Sequence, residues 1–588
     1  MEDVLVPPSA KHDVATYKIM IDGVEVEPSY QLLSLSVSKE VNRVPSAKII
    51  FRDGDAAKQT FDLSNQEIFV PGKKIQVNIG RDGINKQAFK GIIITHSIKV
   101  KANGNSYLQL ECMDEAIKMT IGRHSHYFEN VKDNQVFDEL ISKYKLQSDS
   151  EATALQHKEL VQHHISDWDF MLLRAEANGM LVNVNDGTIK IAKPSIQKEV
   201  LEIGYGSSVI EFEAEMDART QYKSVNASSW DYSNQQLFTA DTTSSSFAQQ
   251  GNINSSSLAD ALSPEKFEMH HSGHKLEQEL QSWVDGIMLR SSLAKIRGRA
   301  KFTGNASIKP GDTIKLSGLG DRFNGKAFIT AVRQDFGNGV WETQIQFGLD
   351  AKRYAFLHND LNDALSAGLV GAINGLQIGK VVQLQNDPDG EDRILVRIPV
   401  IDANAQGIWT RVASLDAGND RGAFFRPEID DEVIVGFINN DPRDAVVLGM
   451  LNSSNKPAPI TASDANDEKG FTTRSKMHLS FNDNTKTIVI DTPGGNSITI
   501  DEQSMKIEIK DQNQNTLTMN PTGISLQSNA NIDIKAGAVL TLGAGVSLAI
   551  SGPSLSVKAD ADVSMQGATA KLSSSGITEI SGSLVKIN

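Results

Sequence analysis

The chain of 588 residues is too long for a single hydrophobic core, so its length predicts several domains. Its composition is that of an ordinary globular protein, with 39% hydrophobic and 22% charged residues. The net charge of −15, from 58 basic and 73 acidic residues without a dense basic stripe, argues against a nucleic-acid-binding protein.

The single cysteine and the acidic start indicate in which compartment the protein is made. Cys112 has no partner cysteine, so no disulfide can form within the chain. The first residues, MEDVLVPPSAKHD, lack the basic and apolar regions of a secretory signal. No run approaches the roughly eighteen apolar residues of a membrane span. We therefore expect synthesis in the cytoplasm without a signal peptide.

Residues 1–125 are predicted to form a first β-barrel, from alternating runs such as YKIMIDGVEV, KIQVNIG and SYLQLECM. Residues 126–300 are predicted to be a mixed, partly helical region. NQVFDELISKYK and DWDFMLLRAEANGM carry apolar residues at helical spacing, and Gly179 stands where the second helix would end.

A polar stretch and a third helix follow within this region. Residues 223–258 are rich in Ser, Asn, Gln and Thr, which predicts a long, weakly ordered excursion or a docking loop. The helix after it is predicted from apolar residues on one face: Leu276, Leu280, Trp283, Val284, Ile287, Leu293 and Ile296.

Residues 301–358, predicted to complete a second β-barrel, repeat a pattern of the first. Pro71-Gly72 leads to Phe89-Lys90-Gly91 and then IIIT, and Pro310-Gly311 leads to Phe323-Asn324-Gly325 and then KAFIT. A Pro-Gly pair suits a type II turn, because proline fixes φ at one central position and glycine accepts positive φ at the next. The shared order predicts two related barrels, although such turns before strands are also common by chance.

A small β domain lies between two predicted linkers, residues 359–375 and 453–476. Residues 376–452 contain the runs GKVVQL, RILVRIPVI, EVIVGFI and AVVLGML, separated by Gly, Asp and Pro. About five short strands in this length suit a small closed barrel, where closure removes exposed edges.

Residues 477–588 repeat a short pattern in which two apolar residues flank one polar residue. The steps run from seven to ten residues and settle near eight. The second apolar residue of each pair is predicted to face a core: Ile490, Ile500, Ile509, Met519, Leu526, Ile534, Leu542, Ile550, Val557, Met565, Leu572, Ile580 and Ile587. Leu584 and Ile587 are predicted to leave an apolar end that a separate capping protein covers.

One such strip cannot bury its own apolar face. Two fully buried apolar side chains contribute roughly 3–6 kcal/mol, whereas each ordered residue costs about 1–2 kcal/mol of backbone entropy. Three coverings are open: a single-chain solenoid with rungs of about 24 residues, three copies wound together, or a flat meander of hairpins. The repeat has no 24-residue super-period, which favours three intertwined chains.

This layout and one motif resemble the valine-glycine repeat (VgrG) proteins and phage baseplate spikes. The motif is Trp409-Thr410-Arg411-Val412 with AGNDRGAFFRPEIDDEVIVGFINNDPRDAVVLGML, and it is similar to the OB-fold barrel of that family. The matching positions are Trp409, Gly422, Phe425, Pro427, Glu428, Asp431, Glu432, Val433, Val435, Phe437, Asp441, Pro442 and Gly449. Residues 165–179 are similar to the helical hub segment of the same family.

The resemblance implies a mainly β homotrimer. Its expected parts are two tube-docking β-barrels with helical insertions, an OB-fold barrel and a C-terminal intertwined triple-stranded β-helix. The implied function is structural: a membrane-piercing hub and spike of a phage-tail, type VI secretion or extracellular tailocin-like machine. The implied partners are further copies of the chain, a hexameric inner tube protein, baseplate proteins, a PAAR-type tip protein, effectors and, transiently, a target membrane. No cofactor is expected, and the particle would carry the protein out of the cell on firing.

Two other functions are compatible with parts of the sequence. A trimeric fibre or adhesin also uses repetitive β-structure, but no terminal globular head follows the repeat. A cell-wall hydrolase would need a catalytic domain, and neither room nor a hydrolase motif for one is found. The acids Asp430, Asp431 and Glu432 are interpreted as turn and strand-edge residues.

The histidines are candidate metal ligands. They form three groups, His124 with His126, His163 with His164, and the group His270, His271 and His274. No cysteine accompanies them, and no carboxylate lies at a familiar ligand spacing, so no metal site is expected. The last histidine, His478, precedes the repeat, which departs from phage spikes that hold iron at the tip.

Overall fold

In a computed structural model of the chain, the described residues are 14–102, 105–262 and 264–587. The acidic start, on which the signal-peptide expectation rests, and Asn588, the end of the repeat, lie outside them. The chain divides into two compact units, Met1–Gly449 and Met450–Asn588. Within the described ranges, no helix is long and apolar enough to cross a membrane.

The first unit begins with an antiparallel β segment: β1 (Ala15–Ile21), β2 (Val24–Glu25), β3 (Leu32–Glu40), β4 (Ser46–Arg52), β5 (Lys74–Arg81), β6 (Ile84–Val100) and β7 (Ser106–Met113). Alternate residues point inward, as the period of two requires. In β4, for example, Ala47, Ile49 and Phe51 are buried in one hydrophobic core.

A mixed α and β region follows: β8 (His124–Lys132), α1 (Asp133–Ser142), β9 (Gln147–Ser150), β10 (Gln156–Ile165), α2 (Asp167–Ala177), β11 (Leu181–Asn185) and β12 (Thr188–Ala192). The two helices lie where the apolar spacing predicts them. Ser166 caps α2, because its hydroxyl oxygen accepts a hydrogen bond from the Asp169 N–H at 3.0 Å. Gly179, at φ +67°, follows the end of α2 as predicted.

The next segment contains β13 (Leu201–Gly204), β14 (Val209–Met216), β15 (Val225–Asp231), β16 (Gln236–Thr242), α3 (Ser255–Leu262), β17 (Phe267–His271) and α4 (Glu277–Ala294). The prediction of a weakly ordered excursion over residues 223–258 is wrong. There β15 pairs with β16 and β17, and Val225 and Ala227 pack against Leu280 and Val284 of α4. Small side chains at alternate positions suffice because α4 supplies the larger apolar groups.

Four more strands and a short helix complete this part: β18 (Ile296–Thr303), β19 (Thr313–Ser317), β20 (Gly325–Gly337), β21 (Val340–Phe347) and α5 (Tyr354–Leu357). Ile296, predicted for the face of α4, belongs to β18. The two predicted barrels form the two halves of one 13-stranded sheet, which the pairing of β3 with β20 joins. Each half surrounds its own hydrophobic core.

The Pro-Gly turns of the two halves are equivalent. Gly72 and Gly311 both have φ +94°, and each follows the proline of a type II turn. The Gly72 N–H donates to the Ile93 carbonyl, and the Gly311 N–H donates to the Ile329 carbonyl, both at 2.8 Å. The Phe-x-Gly triplets are not equivalent: the strand register aligns Gly91 with Ala327. The Pro-Gly turns, and not the Phe-x-Gly triplets, are therefore the equivalent elements of the two halves.

The predicted small barrel contains β22 (Gln377–Gln383), β23 (Ile394–Arg397), β24 (Ile408–Val412), β25 (Ala417–Gly418), β26 (Arg421–Gly422), β27 (Glu432–Phe437) and β28 (Ala445–Met450). Five of these strands close in the order β22-β23-β24-β28-β27, which confirms the prediction of a closed barrel. The predicted linker over residues 359–375 is anchored near its start, because Leu361 is buried and its carbonyl accepts a hydrogen bond from Arg123 at 2.7 Å.

The second unit is a meander of seven strands: β29 (Glu468–Thr472), β30 (His478–Asn482), β31 (Thr487–Asp491), β32 (Ser497–Asp501), β33 (Lys506–Lys510), β34 (Thr516–Asn520) and β35 (Gly523–Gln527). Consecutive strands pair antiparallel. The first strand, β29, lies inside the segment 453–476 that the sequence predicts to be a linker, since only Phe471 marks it as apolar.

Lys295, at the C-terminal end of α4, provides a stability test of the first unit. Its Nζ is buried and donates hydrogen bonds to Gln249 Oε1 at 3.1 Å and to the carbonyls of Gln250 and Ile253 at 2.7 Å. Burial lowers the pKa of Lys295 from 10.5 to about 8. The unfolded state therefore binds more protons between these two pH values, and the contribution of this group to stability rises with pH across that window.

We expect the Lys295→Met variant to lose this pH-dependent component. Thermal unfolding of both proteins, followed from neutral pH to the upper end of the window, measures it. The midpoint of the wild type minus that of the variant should increase with pH. A difference that stays constant would contradict the burial of an unpaired cation at this position.

Candidate functional site

The meander of the second unit carries two parallel columns of apolar side chains on one face. Directly opposed residues of neighbouring strands form each column. The first column is Leu479, Ile490, Ile498, Ile509, Leu517 and Leu526, and the second is Phe481, Ile488, Ile500, Ile507, Met519 and Ile524. The opposite face carries Ser480, Val489, Thr499, Glu508, Thr518 and Ser525. The sheet is thus apolar on one side and mostly polar on the other.

This apolar face, which we call the spike face, is uncovered in the single chain. Ten of its twelve side chains are between 37% and 74% exposed. Burying one such side chain contributes roughly 1.5–3 kcal/mol, and contiguous apolar patches of this extent mark interaction surfaces. A second protein surface is therefore needed to stabilise the face.

Residues 528–587 continue the repeat without pairing within the chain. No strand is assigned in this segment, and its backbone makes no hydrogen bond to another part of the described backbone. The predicted core residues from Ile534 to Ile580 are between 61% and 90% exposed. Free rows of backbone N–H and C=O groups beside apolar side chains are the condition in which strands pair with another chain.

Backbone conformation separates the two parts of the repeat. Each hairpin of the meander contains a residue at positive φ: Lys476, Lys486, Gly495, Met505, Gln514 and Gly523. Among residues 528–587, none has positive φ. The chain therefore makes no hairpin of this type after Gly523, and its rungs do not stack into a single-chain solenoid. Of the three possible coverings, the meander of hairpins is the arrangement of residues 468–527 within one chain. The apolar side chains of both parts of the repeat are left for further copies of the chain to cover.

The structure divides the predicted core residues between the two columns. Ile490, Ile509 and Leu526 lie in the first column, and Ile500 and Met519 lie in the second. Sequence reasoning missed that the first residue of each pair completes the opposite column. The alternating hairpin turns are the sequence signal from which this could have been inferred.

Most residues of the OB motif lie in the barrel or in its connections. Val433 and Val435 are fully buried in its core, and Trp409 lies on β24 opposite Leu395. Phe425 is 56% exposed, on the segment between β26 and β27. The remaining motif positions lie on β26, on β27 or its approach, and around β28: Gly422, Pro427, Glu428, Asp431, Glu432, Phe437, Asp441, Pro442 and Gly449.

The acidic residues of the barrel make contacts that stabilise its turns. Asp441 accepts hydrogen bonds from the Arg443 side chain at 2.6 and 3.0 Å, which holds the pKa of this carboxyl below its ordinary value. Asp430 has φ +70° and pairs with Lys380 at 2.8 Å. Asp431 accepts a hydrogen bond from the Glu428 N–H at 2.8 Å. These contacts are those of turn residues.

The histidines do not converge. His124 and His126 lie on β8 opposite Ile165 and Gln162, while His164 Nδ1 is 3.4 Å from Asp363 Oδ2. In the part of the chain that the structure describes, no three or more His, Cys, Asp or Glu residues are arranged to hold a metal ion. The expectation that no metal is bound stays a prediction.

Comparison with protein families gives three matches. The Alg8 N-terminal domain matches residues 11–338. The OB domain of type VI secretion system and phage-baseplate injectors matches residues 377–451. The phage baseplate V C-terminal trimerisation domain matches residues 487–563, which includes most of the spike face and part of the unpaired segment. No curated protein matches the sequence.

Similar solved structures include three tail or secretion proteins. The 43 kDa tail protein of prophage MuSo2 from Shewanella oneidensis is 9% identical, covers 57% of this chain and 98% of its own, and has a TM-score of 0.44. The E. coli c3393 protein, a type VI secretion system component, is 12% identical, covers 74% of this chain and 100% of its own, and has a TM-score of 0.37. A chain of the Francisella PdpA–VgrG complex is 9% identical, covers 88% of this chain and 80% of its own, and has a TM-score of 0.37.

Gly422 of the OB motif should be required for the fold of the barrel. Its φ is +137°, and a Cβ at this position would lie 2.4 Å from the Asp416 carbonyl oxygen. Gly390 in the same barrel also has positive φ, +69°, but a Cβ there would meet no atom within 4 Å. We expect Gly390→Ala to cost about 1 kcal/mol for the backbone conformation and Gly422→Ala to cost roughly 1–3 kcal/mol more for the clash.

Chemical denaturation of the two variants, with a short protease pulse at each denaturant concentration to measure cleavage within residues 376–452, gives the difference. Equal stabilities would show that the Asp416 backbone moves aside without cost.

Proposed function

This chain belongs to the Alg8 N-terminal domain family and carries the injector OB and trimerisation domains of phage baseplate V proteins, and from this we propose that it forms the homotrimeric hub and spike of a contractile injection system. The chain is a structural, baseplate-like or type VI secretion spike-like protein resembling VgrG. We further propose how the chain assembles, which partners it binds and how it acts on a membrane.

The observation that carries the proposal is the uncovered spike face together with the unpaired backbone of residues 528–587. Covering the face alone would need only one apolar surface. Pairing the backbone as well needs further strands that run beside the segment, and identical copies supply both. A threefold arrangement is supported by the trimerisation domain that matches residues 487–563.

An intertwined trimer of this kind has mechanical consequences. Every strand would share hydrogen bonds and apolar contacts with its neighbours, so bending would break many of them together. A stiff rod with a continuous core transmits force along its axis. We propose that sheath contraction drives this rod through a target membrane.

The duplicated halves of the hub support a role as an adapter. Two halves with equivalent turns at Gly72 and Gly311, present in three chains, give six similar elements. Six such elements are suited to docking a hexameric inner tube on a threefold spike. We propose that the tube protein and other baseplate proteins bind this part.

The far end of the repeat supports a tip partner. Leu584 and Ile587 are 73% and 85% exposed. We propose that a PAAR-type tip protein covers them in the trimer. The Francisella structure is described as a complex of VgrG with PdpA, and by analogy effectors are proposed as further partners here.

The remaining expectations concern location and chemistry. We propose that the chain is made in the cytoplasm, becomes part of a contractile particle and leaves the cell on firing. Its only cysteine, Cys112, is buried and has a pKa raised by burial to about 12, so it would stay a thiol. Two of the matched families describe injector and baseplate parts, and no catalytic role is proposed.

A charge in the spike face should prevent trimer formation. Ile500 lies in the second apolar column, whereas its near neighbour Val489 lies on the opposite face. We expect Ile500→Asp to reduce the trimer to monomers, because an unpaired carboxylate would be buried in an apolar core. Val489→Asp is the matched control and should remain trimeric. Light scattering coupled to size-exclusion chromatography measures the mass of each.

Two results would contradict the proposal. One is a wild-type chain that is monomeric in native buffer, and the other is a Val489→Asp variant that dissociates while Ile500→Asp does not. Imaging of native particles tests the wider proposal, since the trimer should lie on the particle axis at the end of the inner tube.

The tip contact is tested separately. We expect the double variant Leu584→Asp and Ile587→Asp to remain trimeric but to lose the tip protein, because its apolar binding surface would become charged. Ser583→Asp is the control. Co-purification of each trimer with a co-expressed PAAR-type protein measures retention, and undiminished binding by the double variant would place the contact elsewhere.

A further inference from the structure

A buried lysine touches a side-chain amide in the first unit. Lys39, on β3, is 7% exposed, and its Nζ lies 2.6 Å from Asn185 Oδ1 and 3.1 Å from Asp186 Oδ1. Asn185 and Asp186 begin the turn between β11 and β12. An amine, a primary carboxamide and a carboxylate therefore meet at one point, from parts of the chain separated by 146 residues.

The turn is fixed by contacts from several elements. Asp186, at φ +55°, accepts hydrogen bonds from Gln87 Nε2 at 2.8 Å and from the Lys90 N–H at 3.1 Å. The Gly187 N–H donates to the buried carboxylate of Asp114 at 2.9 Å. These bonds hold the turn and the Asp186 carboxylate against Lys39, so the amine and its proton acceptor are already in contact before any reaction.

Burial makes the Lys39 ammonium easier to deprotonate than a solvated one. Burial lowers the pKa of Lys39, Asp186 opposes this shift, and the charge of Lys309 adds to it. Burial raises the pKa of Asp114. A buried amine that readily gives up its proton is a nucleophile, whereas a solvated ammonium is not.

From this geometry we propose that Lys39 and Asn185 form an intramolecular isopeptide bond. Asp186 accepts a proton from the Lys39 ammonium, and the freed Nζ attacks Cγ of Asn185 to form a new C–N bond. Asp186 then returns the proton to the amide nitrogen of Asn185, the C–N bond to that nitrogen breaks and ammonia leaves. Nζ still carries one proton more than an amide nitrogen, and Asp186 accepts this second proton and passes it to the departing ammonia. A lysine and an asparagine thus become one secondary amide and one ammonium ion. No oxidant, reductant or metal is required.

The bond would tie two parts of the hub together. β3 pairs with β20, which joins the two halves of the large sheet, and the β11–β12 turn belongs to the mixed region. A covalent link between distant residues removes conformations from the unfolded chain, as a disulfide does. Unlike a disulfide, an amide persists in a reducing compartment.

The chain contains an internal control. Lys295 Nζ is also buried and lies 3.1 Å from an amide oxygen, Gln249 Oε1, but its other acceptors are two backbone carbonyls. Among the described residues no carboxylate is hydrogen-bonded to Lys295 to carry the proton, so this pair should stay unlinked.

Mass spectrometry of the purified full-length chain tests the proposal. We expect the intact mass to be lower than the sequence mass by one ammonia, and a protease digest to contain a branched peptide that joins Lys39 to Asn185. Lys39→Met should show no ammonia loss. Asp186→Asn keeps both reacting groups and removes the proton carrier, so its linked fraction should fall at least tenfold.

The wild-type measurement decides the matter even if a variant fails to fold. A folded wild-type chain with its full sequence mass, and with linear peptides at Lys39 and Asn185, would show an ordinary buried ion pair and overturn the proposal. A link between Lys295 and Gln249, or an undiminished link in Asp186→Asn, would overturn the assigned role of Asp186. The result is independent of the trimer and of the proposed injection function.

Discussion

The constraint on which the spike depends is that its sheet has an apolar face and no layer of its own chain to cover it. In the first unit a helix covers apolar side chains of a sheet, as α4 covers Val225. In the second unit ten of the twelve side chains in the two columns from Leu479 to Leu526 and from Phe481 to Ile524 are exposed. The free energy that would order this part must come from association. In the proposed trimer, folding of this unit and association of the copies would therefore be one process.

The hub is organised around a single strand. β3 joins the first half of the large sheet to the second through β20, and the β11–β12 turn contacts it through Lys39. β3 and β20 are thus the strands through which the sheet passes from one half to the other. A covalent tie at Lys39 would lie on one of these two joining strands. The equivalent turns at Gly72 and Gly311 give the two halves a common local geometry, although their strands differ in length and in partners.

Much of the fold is predictable from local patterns. The apolar spacing and the glycine at position 179 predict α2. The apolar runs predict four of the five strands of the closed barrel. The order of residues 223–258 is not predictable in this way, because Ser228 and Ser229 carry no apolar signal and the stabilising contacts come from α4, more than forty residues later. The sequence does not predict β29 for a similar reason. Its pairing with β30 defines this strand, whereas its own side chains carry little apolar signal.

For the candidate site, the sequence by itself determined the repeat, the paired apolar residues and the need for an external cover, because these depend only on side-chain type and on the period of two along a strand. Only the tertiary structure decided the direction of successive strands. Reversal at each hairpin places Ile490 and Ile500 in different columns, and the loss of hairpins after Gly523 leaves the remaining backbone free. Strand direction is set by turn conformation and by hydrogen bonds between distant residues, which the spacing of apolar residues does not specify.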